Sequence, residues 1–209
     1  MESVEKKSYA NIVLVGVMGG GKSAVGPLLA HMLGFGFLDT DAEVERMTRK
    51  PIARIFMEQG EAGFRDLERK VVARVANARR HVIATGGGAV SDESSWQELK
   101  KSGLVVWLNP PVEEIVRRMA PGPKALQGLI RRPFLDDLAD ISGLPPGTKG
   151  PALQQFMEEK RRRLAERIKA LLGQRVERYQ QAAIVVEPEF ELPETTARNI
   201  AARFRLLEP

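Results

Sequence analysis

The stretch Asn11-Ile-Val-Leu-Val-Gly16-Val-Met-Gly-Gly-Gly21-Lys22-Ser23 decides the fold. An apolar run leads into the pattern G-x-x-x-x-G-K-[ST], which predicts a buried parallel strand, a glycine-rich turn and a helix. In that order, backbone N–H groups point at a polyphosphate and the helix adds its N-terminal dipole. An ordinary turn is the alternative, but strand, loop and helix fall where phosphate binding requires them.

The residue types within this loop suit phosphate chemistry. Gly16 and Gly21 permit positive φ angles and a close approach of the backbone to a ligand. We expect Lys22 to reach the β- and γ-phosphates as a mobile charge and the Ser23 hydroxyl to be a ligand of Mg²⁺.

Length and composition agree with a small soluble enzyme or switch, and we expect one domain over residues 1–209 with a flexible tail at residues 1–9. The chain is 43% hydrophobic and has no cysteine, so disulfides and thiolate metal sites are excluded. Its two histidines are too few for a histidine-based metal cluster. We find neither a signal-peptide core nor an apolar run of membrane-spanning length, and therefore expect a cytoplasmic protein that does not bind membranes.

The net charge of +5 lies mostly between Glu158 and Arg178, where eight Lys or Arg face four Glu. A helix of mixed charge most often exposes these side chains to solvent. The second interpretation is a basic cleft that binds an anionic substrate. Nucleic acid is disfavoured as a partner, because no aromatic residues interleave with these charges.

Strands and helices alternate along the chain. Five apolar strands separated by helices predict an α/β fold with a parallel sheet that helices cover on both faces. The predicted strands are 11–17, a short one ending at Asp39, 81–85, 104–108 and 182–186. The predicted helices are 22–33, 41–48 with Thr40 as cap, 51–58, 61–79, 92–101, 112–119, 151–172 and 194–206.

The region from about 120 to 173 departs from this alternation. Its first part is rich in proline and glycine around Arg131-Arg132, which is typical of a lid or a disordered linker. Arginines favour the lid, because a closing loop can bring positive charge to a transferring phosphoryl group. Apolar residues at helical spacing then predict the long helix 151–172.

Further polar residues follow the predicted strands, at the edge where open α/β sheets bind ligands. Asp39 and Asp41 should face the same way, one holding Mg²⁺ through water and the other taking a hydroxyl proton, although Asp41 could instead cap a helix. Arg65 alone is compatible with a surface helix. The run Gly86-Gly87-Gly88 after a buried strand lets backbone press against a ligand.

Taken together, these motifs resemble the shikimate kinases over nearly the whole chain. The resemblance is carried by Gly16–Ser23, Asp39-Thr-Asp41, Gly60-Glu-x-x-Phe-Arg65, Thr85-Gly-Gly-Gly-Ala-Val90 and Arg131-Arg-Pro133, in the family's order. It implies a three-layer P-loop kinase fold with a five-stranded parallel sheet, resembling the nucleoside monophosphate kinases. The implied reaction moves the γ-phosphate of ATP to the 3-hydroxyl of shikimate.

The resemblance also assigns roles, residue by residue. Asp41 would contact the shikimate hydroxyls and act as base, Gly87 and Gly88 would offer backbone to shikimate, and Asp39 would join Ser23 around Mg²⁺. Arg65 and Arg175 would hold the carboxylate, with Arg163 or Arg167 as the alternative to Arg175. The remaining implied nucleotide ligands are Gly19, Gly20, Gly21, Lys22, Ser23, Ala24, the adenine-stacking Arg118, the catalytic lid arginine Arg132 and the loop 186–193.

The enlarged region 120–173 is the main departure from that family. Some forty residues separate Arg132 from Arg175. This departure bears on the identity of the acceptor substrate more than on the transfer of the phosphoryl group. Two other interpretations therefore stand beside a shikimate kinase, here expected to be a monomer: a kinase of another small hydroxylated acid, and a non-catalytic ATP- or ligand-sensing module.

Overall fold

A computed structural model describes residues 9–119 and 149–207. In chain order the elements are β1 Ile12–Val15, α1 Lys22–Leu33, β2 Gly36–Asp39, α2 Thr40–Thr48, α3 Ile52–Ala76, β3 His81–Ala84, α4 Glu93–Ser102, β4 Leu104–Leu108, α5 Val112–Met119, α6 Pro151–Tyr179, β5 Ile184–Val186 and α7 Pro193–Leu207.

The five strands form one parallel sheet in the order β2-β3-β1-β4-β5. Strand β1 lies at its centre and is completely buried, as its uninterrupted apolar sequence requires. The predicted α/β fold with a five-stranded parallel sheet is confirmed.

Two hydrophobic clusters cover the two faces of the sheet. Alternate residues of β1 point to opposite faces, so Val13 and Val15 belong to one cluster and Ile12 and Leu14 belong to the other. The first contains apolar residues from α2 through α6, and the second those of α1 and α7. The carboxyl ends of the strands are thereby fixed along one edge, where the glycine-rich loops begin.

Several predicted boundaries were wrong by a few residues, and α3 ends at Ala76 instead of 79. Helix α2 begins at Thr40 with Asp39 as its N-cap, so Thr40 is not the cap. Helix α6 continues seven residues beyond 172, to Tyr179. The two helices predicted on either side of Gly60 form α3, in which Gly60 is non-helical with φ 67° and ψ −173°.

The predicted tail and the first part of the enlarged region lie at 1–8 and 120–148, outside the described residues. In the part of the chain that is described, no helix is both long and apolar enough to cross a membrane.

Candidate active site

The phosphate loop joins β1 to α1 in the predicted way. Gly16, Gly19 and Gly21 have φ angles of 141°, 73° and 101°, which only glycine adopts readily. Gly21 is the N-cap of α1, and it has no side chain with which to cap the first-turn N–H groups. The start of α1 at Lys22 and Ser23 therefore presents the positive end of the helix dipole to an anion, while the Ala24 N–H donates to the Gly21 carbonyl oxygen at 3.0 Å.

Lys22 lies across this loop. Its Nζ donates hydrogen bonds to the carbonyl oxygens of Gly16 at 2.7 Å and Val17 at 3.0 Å. The ammonium group therefore lies beside the phosphate loop. Its flexible side chain would let it reach a phosphate bound there.

Ser23 and Asp39 provide a pair of oxygen ligands beside the loop. The Ser23 hydroxyl donates to Asp39 Oδ2 at 2.8 Å. This donor set fits Mg²⁺, which is usually held by one or two protein oxygens together with phosphates and water. Within 9–119 and 149–207, no three His, Cys, Asp or Glu side chains cluster as a self-sufficient metal site.

Asp39 and Asp41 contact different neighbours. Asp39 Oδ1 accepts from the N–H groups of Asp41 at 3.0 Å and Ala42 at 3.4 Å, so Asp39 caps α2 while its other oxygen meets Ser23. Asp41 lies in the first turn of α2 and is therefore not the cap. Between them, buried Thr40 accepts a hydrogen bond from the Gly86 N–H at 2.6 Å through its hydroxyl oxygen, which fixes α2 to the triple-glycine loop.

The triple-glycine loop is the point where three predicted acceptor ligands meet. A Cβ at Gly86 would overlap Asp41 Oδ1, and one at Gly88 would overlap Arg65 Nη1. A Cβ at Gly87 would lie 3.2 Å from Arg175 Nη1. None of these three glycines has a positive φ angle, so the close approach of side chains, not backbone conformation, requires glycine here.

Arg65 is anchored by two carboxylates of α3. Its Nη1 lies 2.8 Å from Glu68 Oε2 and its Nη2 lies 3.0 Å from Glu61 Oε1. The Arg65 side chain is 30% exposed, in contrast to an ordinary surface arginine such as Arg46 at 65%.

Glu68 is a site residue that the sequence analysis missed. It is 2% exposed, and its oxygens lie close to Gly86 and Gly88. Burial raises the pKa of Glu68, Arg65 opposes that rise, and the nearby charge of Asp41 adds to it. The spacing of three residues on a predicted helix indicates an ion pair with Arg65 but does not indicate that Glu68 is buried at the site.

Arg175 lies on the last turns of α6 and reaches Gly87, as described above. Arg163 is 59% exposed and bonds to Glu159 at 2.8 Å, along its own helix. Of these two arginines, the structure brings Arg175 and not Arg163 to the triple-glycine loop.

Arg118 borders the phosphate loop from the other side. Its Nη1 would lie 3.3 Å from a Cβ at Gly21, and its Nε donates to buried Glu114 at 2.7 Å. Hydrogen bonds from Arg117 first, and then Arg118, hold the pKa of Glu114 at about 2. The neighbouring Arg117 guanidinium lies 5.8 Å from the ring of Phe190, in the loop after β5. Arg132 lies outside the described residues.

The sequence matches a known family over most of its length. The sequence model for "Shikimate kinase" matches residues 18–205. A shikimate kinase of Nostoc punctiforme is 39% identical over 191 residues, covering 91% of this chain and 88% of that protein. One from Synechococcus elongatus is 40% identical over 168 residues, covering 79% and 78%.

Solved structures agree with this match. The shikimate kinase of Acinetobacter baumannii in complex with shikimate has a TM-score of 0.72 and 30% identity, covering 95% of this chain and 94% of that one. The enzyme of Bacteroides thetaiotaomicron also has a TM-score of 0.72, with 26% identity and coverage of 95% and 99%. Sequence and architecture lead to one conclusion: this chain belongs to the shikimate kinase family.

Proposed function

We propose that this chain transfers the γ-phosphoryl group of ATP to the 3-hydroxyl of shikimate, giving shikimate 3-phosphate and ADP. The observation that carries the proposal is the convergence of Asp41, Arg65 and Arg175 on three consecutive glycines beside the phosphate loop. A proton acceptor and two cations around one glycine loop suit a substrate with both a hydroxyl and a carboxylate.

The reaction requires one bond to form and one to break. The 3-hydroxyl oxygen forms a bond to the γ-phosphorus, and the bond from that phosphorus to the β–γ bridging oxygen breaks, so ADP leaves. Asp41 takes the hydroxyl proton. Its place in the first turn of α2, fixed through Thr40 and Gly86, holds the carboxylate at the acceptor side of the cleft.

On the donor side, the loop residues from Gly19 to Ala24 surround the phosphates. Lys22 exchanges its carbonyl partners for the β- and γ-phosphates, and the lid residue Arg132 adds positive charge to the transferring group. Arg118, held beside Gly21 by Glu114, stacks on adenine.

Ser23 and Asp39 would hold Mg²⁺ between protein and nucleotide. The ion would neutralise charge on the phosphates. The two oxygens already lie 2.8 Å apart, and capping α2 keeps the Asp39 carboxylate oriented toward Ser23.

On the scale of the molecule, we propose one catalytic domain over residues 1–209, with 120–173 as an enlarged lid region. It would act as a cytoplasmic monomer on ATP and shikimate, without nucleic acid or membrane partners.

A coupled ADP-release assay with shikimate, quinate and shikimate carboxamide tests the proposal. We expect turnover with shikimate, and a loss of about 10²- to 10⁴-fold in kcat for Asp41→Asn, as for other positioned acid–base groups. ATP binding by calorimetry should be retained. Asp66→Asn, on the exposed face of α3, is the matched control and should behave as wild type.

Two outcomes would contradict the proposal. ADP release with another hydroxy acid but not with shikimate would reassign the acceptor. ATP binding without turnover on any acceptor would favour a sensing module.

A further inference from the structure

Four buried side-chain atoms have no hydrogen-bond partner among the residues that the structure describes: Glu68 Oε1, Trp107 Nε1, Arg175 Nε and the Tyr179 hydroxyl. Buried polar atoms of this kind are few in native proteins, and each requires an explanation. Two of them, Arg175 Nε and the Tyr179 hydroxyl, are one helical turn apart on α6, so they share a helix face.

The Tyr179 ring is fixed by packing. Tyr179 is fully buried, and its ring stacks on that of Trp107 with centroids 5.4 Å apart and an interplanar angle of 25°. The hydroxyl is thus held out of reach of solvent at a defined point. Burial raises the pKa of Tyr179, while the positive charge of Arg175 and hydrogen bonding to it oppose that rise. The guanidinium therefore lies beside the phenol, although the two groups make no hydrogen bond of regular geometry.

The Arg175 guanidinium has two different edges. Its Nη1 end faces Gly87, at the acceptor side of the cleft. Its Nε is buried and faces away from water. A guanidinium is rigid and planar, so a partner on the buried edge sets the direction of the other edge.

We propose that Tyr179 is a positioning residue for Arg175: when an acceptor carboxylate binds the Nη edge, the phenolic oxygen accepts an N–H from the buried edge and fixes the guanidinium plane. The proposal rests on the proposed function, in which Arg175 binds the acceptor carboxylate.

Packing alone does not require the hydroxyl. Phenylalanine would fill the same space and make the same stack on Trp107, without a buried oxygen that lacks a partner. Leaving such a group unpaired lowers stability, so a purely structural role would favour phenylalanine at this position. A hydroxyl whose hydrogen bond to the guanidinium reaches regular geometry only in the substrate complex accounts for both its burial and its position beside Arg175.

Tyr179→Phe tests the proposal because it removes only the hydroxyl. We expect the KM for shikimate to rise about 5- to 20-fold, as suits one hydrogen bond to a charged group, with kcat and ATP affinity nearly unchanged. The melting temperature should stay the same or rise. Tyr9→Phe, which deletes the hydroxyl of the other tyrosine, is the matched control and should leave KM unchanged.

Shikimate carboxamide provides a comparison within each variant that is independent of the fraction of folded enzyme. If Tyr179 acts through Arg175 on the carboxylate, Tyr179→Phe raises the KM for shikimate more than that for the carboxamide. Tyr179→Phe should then raise the shikimate KM by a smaller factor in the Arg175→Lys enzyme than in the wild-type enzyme. A shikimate KM within about twofold of wild type, or equal effects on both acceptors, would overturn the proposal.

Arg175→Ala separates this inference from the function on which it rests. A raised shikimate KM in Arg175→Ala but not in Tyr179→Phe would reject only the positioning role. An unchanged KM in Arg175→Ala would reject Arg175 as the carboxylate ligand, and with it that part of the proposed function.

Discussion

At the scale of single residues, Asp39 has both a structural role and a proposed role in metal binding. One carboxylate oxygen caps α2, and the other accepts a hydrogen bond from Ser23. The cap needs only an oxygen acceptor, whereas Mg²⁺ prefers a charged oxygen ligand, so substitutions can separate the two roles.

We expect Asp39→Asn to keep the cap and impair the metal site. An asparagine oxygen caps a helix about as well as aspartate, so the free energy of unfolding should change by less than about 0.5 kcal/mol. The apparent Mg²⁺ affinity, read from the dependence of the rate on Mg²⁺, should fall about 10- to 100-fold. Asp39→Ala should in addition lose about 0.5–2 kcal/mol of stability.

Asp92 is the matched control for this pair of variants. Its side chain caps α4 by accepting from the Ser95 N–H at 2.8 Å. Asp92→Ala should lower stability as Asp39→Ala does and leave the Mg²⁺ dependence unaltered. If Asp39→Asn also leaves it unaltered, Asp39 is only a cap.

At the scale of elements, Gly60 divides α3 into two arms. The arm before it begins with Ile52, whose N–H donates to Glu45 of α2 at 2.9 Å, and the arm after it carries Arg65 and Glu68 to the triple-glycine loop. The φ and ψ of Gly60 lie in a region that is essentially limited to glycine, although a Cβ there would meet no atom of the described residues within 4 Å. The constraint is therefore conformational, not steric.

Replacing two glycines by alanine should have opposite effects. Gly60→Ala should lower the free energy of unfolding by about 1–3 kcal/mol, because alanine avoids that backbone conformation. Gly173→Ala, inside α6, should raise it by about 0.5–1 kcal/mol, because alanine is the better helix former. Urea unfolding of both variants measures the difference, and destabilisation by Gly173→Ala would contradict a regular helix there.

At the scale of the whole molecule, Glu114 links stability to pH. Its pKa of about 2 in the folded protein lies below the ordinary value of 4.5, so the native state holds fewer protons between these values. Its contribution is therefore present above about pH 4.5 and is lost as pH falls toward 2. Glu68, with its raised pKa, contributes in the opposite sense, because its ionised form is the less favourable one in the native state.

We accordingly expect Glu114→Gln to be less stable than wild type at neutral pH, with the difference shrinking as the solution is acidified below about pH 4.5. Denaturant unfolding across this range gives the measurement. Glu113→Gln, which makes the same change at the exposed neighbour on α5, is the matched control. A constant difference at every pH would mean that Glu114 acts through packing and not through its charge.

The sequence predicted the sheet because its buried strands are short, uninterrupted apolar runs, and predicted the phosphate loop because that motif is contiguous. Glu68 could not be predicted, since its burial depends on Asp41, Gly86 and Gly88, which come from other elements. Capping of α2 was misassigned because aspartate and threonine both cap well, and only the fold shows that Thr40 is used by Gly86. The predicted end of α6 before Gly173 was wrong because Tyr179 extends its buried face.

The stack of Trp107 on Tyr179 has a spectroscopic consequence. The Trp107 indole lies 3.7 Å from the position of a Cβ on Gly16, at the start of the phosphate loop, and its partner ring lies one helical turn from Arg175. The chain's other indole, Trp96, belongs to the same hydrophobic cluster and donates to Gln181, just after α6. Because both indoles emit, Trp96→Phe is needed to isolate the emission of Trp107, which we expect to respond to either substrate and so to report both binding events without a label.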